Sequence, residues 1–261
     1  MGNGRALVNN FMNATKTNAI EVDNVTKVFK VLHRETSIKS AAMKRLRLKR
    51  PHREEFTALR DISFHVPQGQ TVGVIGRNGS GKSTLLTLLA RIYKPTSGTI
   101  KVHGRVATLL ELGAGFHPEF TGLENVFLNG VILGMPRAEI EKRLPSIIEF
   151  AGIEEFMDTP VKHYSSGMTT RLGFSVAVHL DPDVILVDEV LAVGDAQFQE
   201  KCYAKIEEFK KRGATIFFVS HDMKAIKRVS DRVLWIDDHR VREDGLSNRV
   251  LAAYNEGDGK I

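Results

Sequence analysis

The sequence predicts an α/β fold with a mostly parallel central sheet, and three observations support this. Short apolar segments rich in β-branched residues are typical of strands buried on both faces; they are Thr71–Ile75, Val184–Val187 and Thr215–Val219. Helical patterns separate them, which is the alternation that a parallel sheet with crossover helices requires. A glycine-rich segment also follows the first of these strands directly, as it does in folds that bind phosphate at a strand-to-helix turn.

The composition is that of a folded chain of 261 residues, with 42% hydrophobic and 26% charged residues. No apolar run approaches the roughly 18 residues that a membrane-spanning helix needs. The opening Met-Gly-Asn-Gly-Arg-Ala lacks the apolar core of a secretory leader, so we expect neither a leader nor a transmembrane segment. A single cysteine, Cys202, excludes an internal disulfide and fits a reducing compartment.

The positive charge is concentrated in one segment. The formal net charge is +6, yet seven Lys and Arg residues and no acidic residue lie within Lys39–Arg53. Without those seven, 30 basic and 31 acidic residues remain, so the rest of the chain is close to neutral. We predict a flexible tail over 1–18, one domain over 19–261, and a basic insertion at about 32–56 within that domain.

The remaining elements follow from hydrophobic spacing. Ile20–Val31 predicts a pair of strands, and alternation over Leu59–Val66 predicts another strand before the turn at Pro67. Between about 117 and 180 no comparable strand pattern occurs, which indicates a helical subdomain. Helices are predicted over Arg137–Phe150, Thr169–Leu180 and Ala196–Arg212, the last with Phe198, Cys202, Ile206 and Phe209 on one apolar stripe.

A phosphate-binding loop is the strongest motif. Residues Gly76–Ser83 fit the pattern Gly-x-x-x-x-Gly-Lys-Ser/Thr, between a buried strand and a leucine-rich helix. Glycines let successive backbone N–H groups converge on phosphate, and the helix N-terminus adds positive charge. Lys82 is predicted to reach the β- and γ-phosphates, and the Ser83 hydroxyl to ligate Mg²⁺. The candidate ATP-binding residues are Gly76, Arg77, Asn78, Gly79, Ser80, Gly81, Lys82, Ser83 and Thr84.

Two further strands end in residues suited to nucleotide chemistry. Asp188 and Glu189 directly follow Val184–Val187, at the sheet edge where ligands of open α/β sheets bind. Asp188 is predicted to hold Mg²⁺ through water, and Glu189 to act as the general base that polarises the attacking water. His221 lies just beyond Thr215–Val219, a placement that suits a sensor of the γ-phosphate.

A third segment indicates the family that the sequence resembles. His163-Tyr-Ser-Ser-Gly-Met168 precedes a predicted helix, and its Ser165, Ser166 and Gly167 would present a hydroxyl and bare N–H groups to an anion. In this order, the motifs together resemble the ATP-binding-cassette (ABC) ATPases over nearly the whole chain. That resemblance implies a P-loop NTPase fold with an antiparallel β subdomain and a helical subdomain. It also implies a homodimer, in which the signature residues of one subunit contact ATP bound by the other.

The resemblance extends to less typical positions. Asp195 matches the family's D-loop and is expected at the dimer interface. Phe29 is the candidate for stacking on adenine, although a core role suits an aromatic there equally well. The usual Q-loop glutamine is absent, and Glu111 is the nearest polar candidate for the Mg²⁺ shell. The signature itself departs from Leu-Ser-Gly-Gly-Gln at Tyr164, Ser166 and Met168.

Three separated segments resemble the glycan-export branch of ABC ATPases: residues 109–125, 164–168 and 190–202. This resemblance implies export of a lipid-linked polysaccharide of O-antigen, capsular, galactan or teichoic acid type, driven by MgATP hydrolysis. It further implies a separate integral membrane permease, in two copies, and a location at the cytoplasmic face of the inner membrane. About 16 residues follow Gly245, so we expect a short form without the C-terminal carbohydrate-binding β-sandwich that some members carry.

The motifs leave two alternative functions and three roles for the basic segment. One alternative is an ABC transport ATPase for another cargo, such as a drug, lipid or peptide. Segment 109–125 is the sequence that distinguishes this chain from those transporters. A soluble ABC ATPase acting on nucleic acid typically has two cassettes, whereas this chain has one phosphate loop. Lys39–Arg53 fits a solvated loop, a nucleic-acid contact or a contact with anionic lipid headgroups. Because no aromatic residue lies within it to stack bases, we expect no nucleic acid and favour the membrane surface.

Overall fold

The computed structural model describes residues 17–32, 53–110, 112–188 and 194–258. Contacts divide the chain into two compact units. The first unit comprises the described residues of Met1–Glu21, His65–Val72 and Val102–Phe217. The second unit comprises those of Val22–Phe64, Gly73–Lys101 and Phe218–Ile261.

Nine strands occur in the described residues, in two sheets. They are β1 (Asn18–Leu32), β2 (Arg53–Pro67), β3 (Thr71–Ile75), β4 (Ser97–Val102), β5 (Val106–Leu109), β6 (Val184–Val187), β7 (Thr215–Val219), β8 (Arg232–Asp237) and β9 (Arg240–Leu246). One sheet has the order β2-β1-β4, and the other has the order β5-β6-β7-β3-β8-β9. β5 and β6 run parallel, with Val106 beside Val184, whereas β8 and β9 are antiparallel.

The middle of the larger sheet is parallel as well. Ile216 N donates to Gln70 O at 3.2 Å, and Ser220 N donates to Val74 O at 3.4 Å. The two bonds advance in the same direction along β7 and β3, which is the pattern of parallel strands. Every residue of β3, β6 and β7 is buried, and each strand has the bounds predicted from its apolar run. The predicted α/β class is therefore confirmed.

Seven α-helices accompany these strands in the described residues. They are α1 (Lys82–Leu89), α2 (Gly122–Ile132), α3 (Arg137–Ala151), α4 (Ser166–Ala177), α5 (Ala196–Lys211), α6 (Met223–Val229) and α7 (Ser247–Asp258). Local chemistry fixes their ends. At the start of α2, Thr121 Oγ1 accepts from Glu124 N at 3.2 Å and the Glu124 carboxylate accepts from Thr121 N at 2.8 Å, a capping box. α3 ends at Ala151 because the next residue, Gly152, takes a left-handed φ of 62°.

Some interpretations of the sequence differ from the structure. Ile20–Val31 is part of the single strand β1 rather than a pair of strands, because Asn24 takes a φ of 50° within the strand without ending it. Hydrophobic spacing also does not predict β4 or β5. Most of β4 is exposed, and in β5 buried residues alternate with partly exposed ones, so neither has the continuous apolar run that marks β6.

Helices α2, α3 and α4 pack around one apolar core in the first unit. Its buried members include Val126, Ile140, Ile147, Leu172 and Val176. The loop that enters α2 is fixed by the fully buried Asn125, whose amide donates to three backbone carbonyls at 2.9–3.1 Å. Its Oδ1 accepts from His117 N at 2.7 Å. None of the helices in the described ranges is long and apolar enough to span a bilayer.

Cys202 lies on the buried stripe of α5 with Phe198, Ile206 and Phe209, as the helical spacing predicts. Burial raises the pKa of the Cys202 thiol to about 12. A thiol with this pKa stays protonated at neutral pH and is a poor nucleophile. Cys202 is therefore a packing residue of the core.

Candidate functional site

The predicted phosphate loop joins β3 to α1 in the second unit and requires glycine at two positions. A Cβ atom at Gly76 would overlap the carbonyl oxygen of Ile236 and would lie 2.8 Å from Ser80 Oγ. A Cβ atom at Gly81 would overlap the carbonyl oxygen of Ala58 and would lie 2.6 Å from Leu59 Cδ2. Gly76 and Gly81 also have φ angles of 150° and 108°. Both positions are thus closed to any side chain.

Lys82 is folded back against the loop. It is only 7% exposed, and its Nζ donates to Gly76 O at 2.8 Å and to Arg77 O at 3.0 Å. α1 begins at Lys82, and its N-cap Gly81 offers no side-chain acceptor to the first N–H groups of the helix. An ammonium group and an uncapped helix N-terminus therefore occur together at one turn, which is the arrangement that anion-binding loops use.

The loop fits a phosphate chain by its donors as well as its shape. The buried Ser80 Oγ has no hydrogen-bond partner among the described residues. Arg77, Asn78, Gly79 and Ser83 are exposed and Thr84 is half-buried, so most of the predicted binding residues are accessible. A buried hydroxyl that lacks a partner is costly to a fold unless a ligand or water supplies one.

The structure describes Asp188 and His221 but not Glu189. Asp188 is half-buried and directly follows the fully buried strand β6 in the first unit. In the second unit, His221 is exposed and follows Ser220 at the end of β7, just before Asp222 caps α6 through Lys224 N at 2.8 Å. Asp188 thus lies immediately after β6 and His221 just beyond the end of β7, as predicted. Glu111 and Glu189 lie outside the described residues, and so does the basic segment except for the backbone of Arg53.

The signature segment forms the start of α4 in the first unit. Ser165 is the N-cap, and its Oγ accepts from Met168 N at 3.2 Å. Ser166 and Gly167 are the first residues of the helix, so α4 begins three residues before the predicted start at Thr169 and ends at Ala177 rather than Leu180. The earlier start arises because Ser166 and Gly167, which follow the cap residue Ser165, already form the first turn of the helix. Ser165 and Ser166 are both exposed.

Asp195 links the signature helix to α5 within the first unit. Its Oδ1 accepts from Phe198 N at 2.9 Å and caps α5, while Arg171 of α4 donates to its Oδ2. The Phe198 N–H and, to a smaller extent, the Arg171 guanidinium hold the pKa of the Asp195 carboxyl below its usual value. Arg171 also lies over the Phe198 ring, 5.1 Å from its centroid. Motif spacing alone does not identify Arg171, because its partner lies 24 residues further along the chain.

Phe29 is half-buried on β1 and is not part of the buried core. Its ring meets the Tyr93 ring edge-on, with 5.6 Å between centroids. Lys27 Nζ lies 4.8 Å from the Phe29 centroid and donates to Lys94 O at 2.9 Å. The ring is therefore held in place by a cation and a second ring at a partly accessible position.

A family model described as "ABC transporter" matches residues 59–192, a little over half of the chain. The chain belongs to the ABC transporter family. The matched region runs from β2 past β6 and contains both the phosphate loop and the signature segment. The family resemblance inferred from the motifs is thereby confirmed, and the reaction of this ABC ATPase is ATP hydrolysis.

Relatives of this ABC ATPase are named as export proteins. It is 53% identical over 202 residues to the O-antigen export system ATP-binding protein RfbB of Klebsiella pneumoniae, covering 77% of this chain and 82% of that protein. Identity to RfbB of Myxococcus xanthus is 51%, covering 85% of this chain and 51% of that protein. Identity to the teichoic acids export ATP-binding protein TagH of Listeria monocytogenes serotype 4b (strain F2365) is 45%, covering 78% and 60% respectively. The similarity to the glycan-export branch is confirmed.

Solved structures confirm the ABC cassette fold. An ATP-binding subunit of an ABC transporter superposes with a TM-score of 0.71 at 22% identity, covering 92% of this chain and 94% of the other. The ATP-binding cassette MJ0796, in a dimeric post-hydrolysis state bound to ADP and Pi, superposes with a TM-score of 0.69 at 22% identity, covering 87% and 98% respectively.

Proposed function

We propose that this ABC ATPase is the nucleotide-binding subunit of an exporter that moves a lipid-linked polysaccharide of the O-antigen, capsular, galactan or teichoic acid type. The observation that carries the proposal is the 53% identity to an O-antigen export ATP-binding protein over most of both chains. The 45% identity to a teichoic acids export protein supports the same class of cargo. Hydrolysis of MgATP in a homodimer drives two copies of a separate permease, from the cytoplasmic face of the inner membrane.

The phosphate loop binds the triphosphate in this proposal. Backbone N–H groups and the ammonium of Lys82 neutralise the phosphates, and the half-buried Phe29 ring stacks on adenine. Ser83 and Asp188 carry oxygen donors of the type that Mg²⁺ prefers, and Glu111 is a further candidate. When bound, Mg²⁺ supplies positive charge to the phosphate oxygens. Residues 76–84 and Phe29 form the proposed nucleotide site.

Glu189 and His221 carry the proposed chemistry. Glu189 accepts a proton from the attacking water as the general base, and His221 contacts the γ-phosphate. Ser165, Ser166 and Gly167 of one subunit complete the site of the other, with Asp195 at the interface. The exposure of both serines and of the Asp195 side chain supports this role, because a surface that acts on a second subunit must be accessible.

The end of α2 is the proposed contact with the permease. Val131 and Ile132 are 57% and 59% exposed, which is unusual for a pair of large apolar neighbours at a helix end. Ile132 lies beside Gly115 of the glycine-rich segment Gly113–Phe116, since a Cβ atom at Gly115 would be 3.3 Å from its Cδ1. The two segments form an apolar edge suited to a membrane protein partner.

Copurification of the full chain from membranes tests this proposal. We expect an integral permease and a lipid-linked glycan to accompany the chain, and deletion of its gene to leave that glycan on the cytoplasmic side of the membrane. Recovery of a drug, lipid or peptide permease instead would refute the glycan cargo and leave the ATPase assignment intact.

The basic segment is expected to assist export at the membrane surface. Substituting Gln for its seven bases should lower export several-fold, since each base contributes about 1 kcal/mol near anionic headgroups. ATP hydrolysis should be unchanged, and binding to vesicles containing phosphatidylglycerol should fall. The charge-preserving exchange of Lys39, Lys44 and Lys49 for Arg is the control. Unchanged export by the Gln variant would refute the proposed role of the basic segment at the membrane surface. The seven bases are Lys39, Lys44, Arg45, Arg47, Lys49, Arg50 and Arg53.

A further inference from the structure

Tyr164 stands where the family's usual signature has leucine, and its hydroxyl makes a hydrogen bond. The hydroxyl donates to Phe156 O at 2.7 Å. The Tyr164 ring packs against the apolar core shared by α2, α3 and α4. Burial raises the pKa of the Tyr164 phenol, so it remains a protonated donor. A leucine cannot make this hydrogen bond.

The hydroxyl occupies a notch at Gly122, the first residue of α2. A Cβ atom at Gly122 would overlap the Tyr164 hydroxyl oxygen and would lie 3.2 Å from Tyr164 Cζ and 3.4 Å from Met157 Cα. Gly122 is helical and is not among the glycines with positive φ. Space for the tyrosine, rather than backbone freedom, is therefore what this position needs.

Backbone hydrogen bonds join the same two segments on either side of the notch. Gly122 N donates to Thr159 O at 3.2 Å and Leu123 N to Met157 O at 3.0 Å. In the other direction, Val161 N donates to Phe120 O at 2.9 Å. These backbone bonds tie the segment that leads into α4 to the start of α2. The Tyr164 hydroxyl donates to Phe156 O of its own segment and meets α2 by packing beside Gly122, just before the cap residue Ser165.

We propose that Tyr164 is a positioning residue that registers the first turn of α4 on the first turn of α2 through the fit of its hydroxyl beside Gly122. The inference rests on the proposed role of Ser165 and Gly167 in the partner's nucleotide site. α2 ends at the exposed pair Val131 and Ile132, the proposed contact with the permease. Because the start of α2 is joined to the segment that leads into α4, a displacement of α2 moves the signature residues with it. The Tyr164–Gly122 fit therefore sets the turnover rate and leaves ATP affinity alone.

A double-mutant cycle tests the fit, using the full chain together with its copurifying membrane partner. Tyr164→Phe removes only the hydroxyl and should lower kcat about 3- to 10-fold, the effect of one hydrogen bond. Gly122→Ala should lower kcat further, because its methyl group displaces the ring. The double variant should be more active than Gly122→Ala alone, since the methyl group then faces Tyr164 Cζ rather than the hydroxyl. The Kd of a non-hydrolysable ATP analogue should not change in any of them.

Tyr254→Phe in α7 is the matched control, because it deletes a phenolic hydroxyl and keeps the ring that packs edge-on against Trp235. We expect a wild-type kcat for this control. A wild-type kcat for Tyr164→Phe, or a double variant no more active than Gly122→Ala, overturns the proposal. If Gly122→Ala does not fold, the kcat-to-Kd split of Tyr164→Phe against the control decides. Loss of the glycan cargo assignment would not affect these readouts, which measure ATP binding and hydrolysis.

Discussion

Replacing Lys82 with alanine is expected to raise the Kd for ATP about 10- to 100-fold, since charge-assisted hydrogen bonds contribute about 1.5–3 kcal/mol. The ammonium is buried and donates to Gly76 O and Arg77 O, so it is already held beside the loop. Phosphate oxygens are stronger acceptors than these neutral carbonyls. The Lys82 ammonium can therefore exchange these carbonyl acceptors for phosphate oxygens of ATP without a large rearrangement of the side chain.

The Lys82→Ala result is measured by titration with a fluorescent ATP analogue and by phosphate release. Lys227→Ala, which removes the same charge from an exposed position on α6, is the control and should bind ATP normally. The melting temperature of both variants shows whether the loop remains folded. Wild-type ATP affinity in a folded Lys82→Ala chain would contradict the assignment of the loop as the triphosphate site.

Glu189→Gln is expected to lower kcat about 100- to 10,000-fold, the range over which general bases accelerate reactions. The amide has nearly the shape of the carboxylate but cannot accept the proton of the attacking water. ATP binding should remain, because the phosphate loop is untouched. The variant should accumulate as an ATP-bound dimer, which size-exclusion chromatography in the presence of MgATP detects.

Glu256→Gln on α7 provides the comparison for the loss of one carboxylate at an exposed site and should hydrolyse ATP at the wild-type rate. Normal hydrolysis by Glu189→Gln would refute the general-base role. Weak ATP binding by that variant would show that Glu189 acts in ATP binding rather than in catalysis.

The sequence predicts those parts of the fold whose signals are local. β3, β6 and β7 have the predicted bounds because each is a short, continuous apolar run. The phosphate loop is recognised for the same reason, since its motif stands between a strand and a helix. β4 is missed because an exposed strand has no apolar pattern to detect.

Contacts between distant residues account for the rest. The need for glycine at Gly76 comes from Ile236 O, which no local pattern connects with the loop. Tyr164 is visible in the sequence only as a departure from the family's signature, and its partner Gly122 lies 42 positions earlier. The reason why a position must be glycine becomes evident only when the neighbouring atoms that would clash with a Cβ atom are known.

The unreactive Cys202 makes this chain a convenient background for site-specific spectroscopy. It is the chain's only cysteine, and its buried thiol is protonated at the pH where maleimides react. A cysteine introduced at an exposed position such as Glu256 would carry the label alone. Two subunits would then carry one spin label each, and the separation of the pair could be followed through each stage of the ATP cycle.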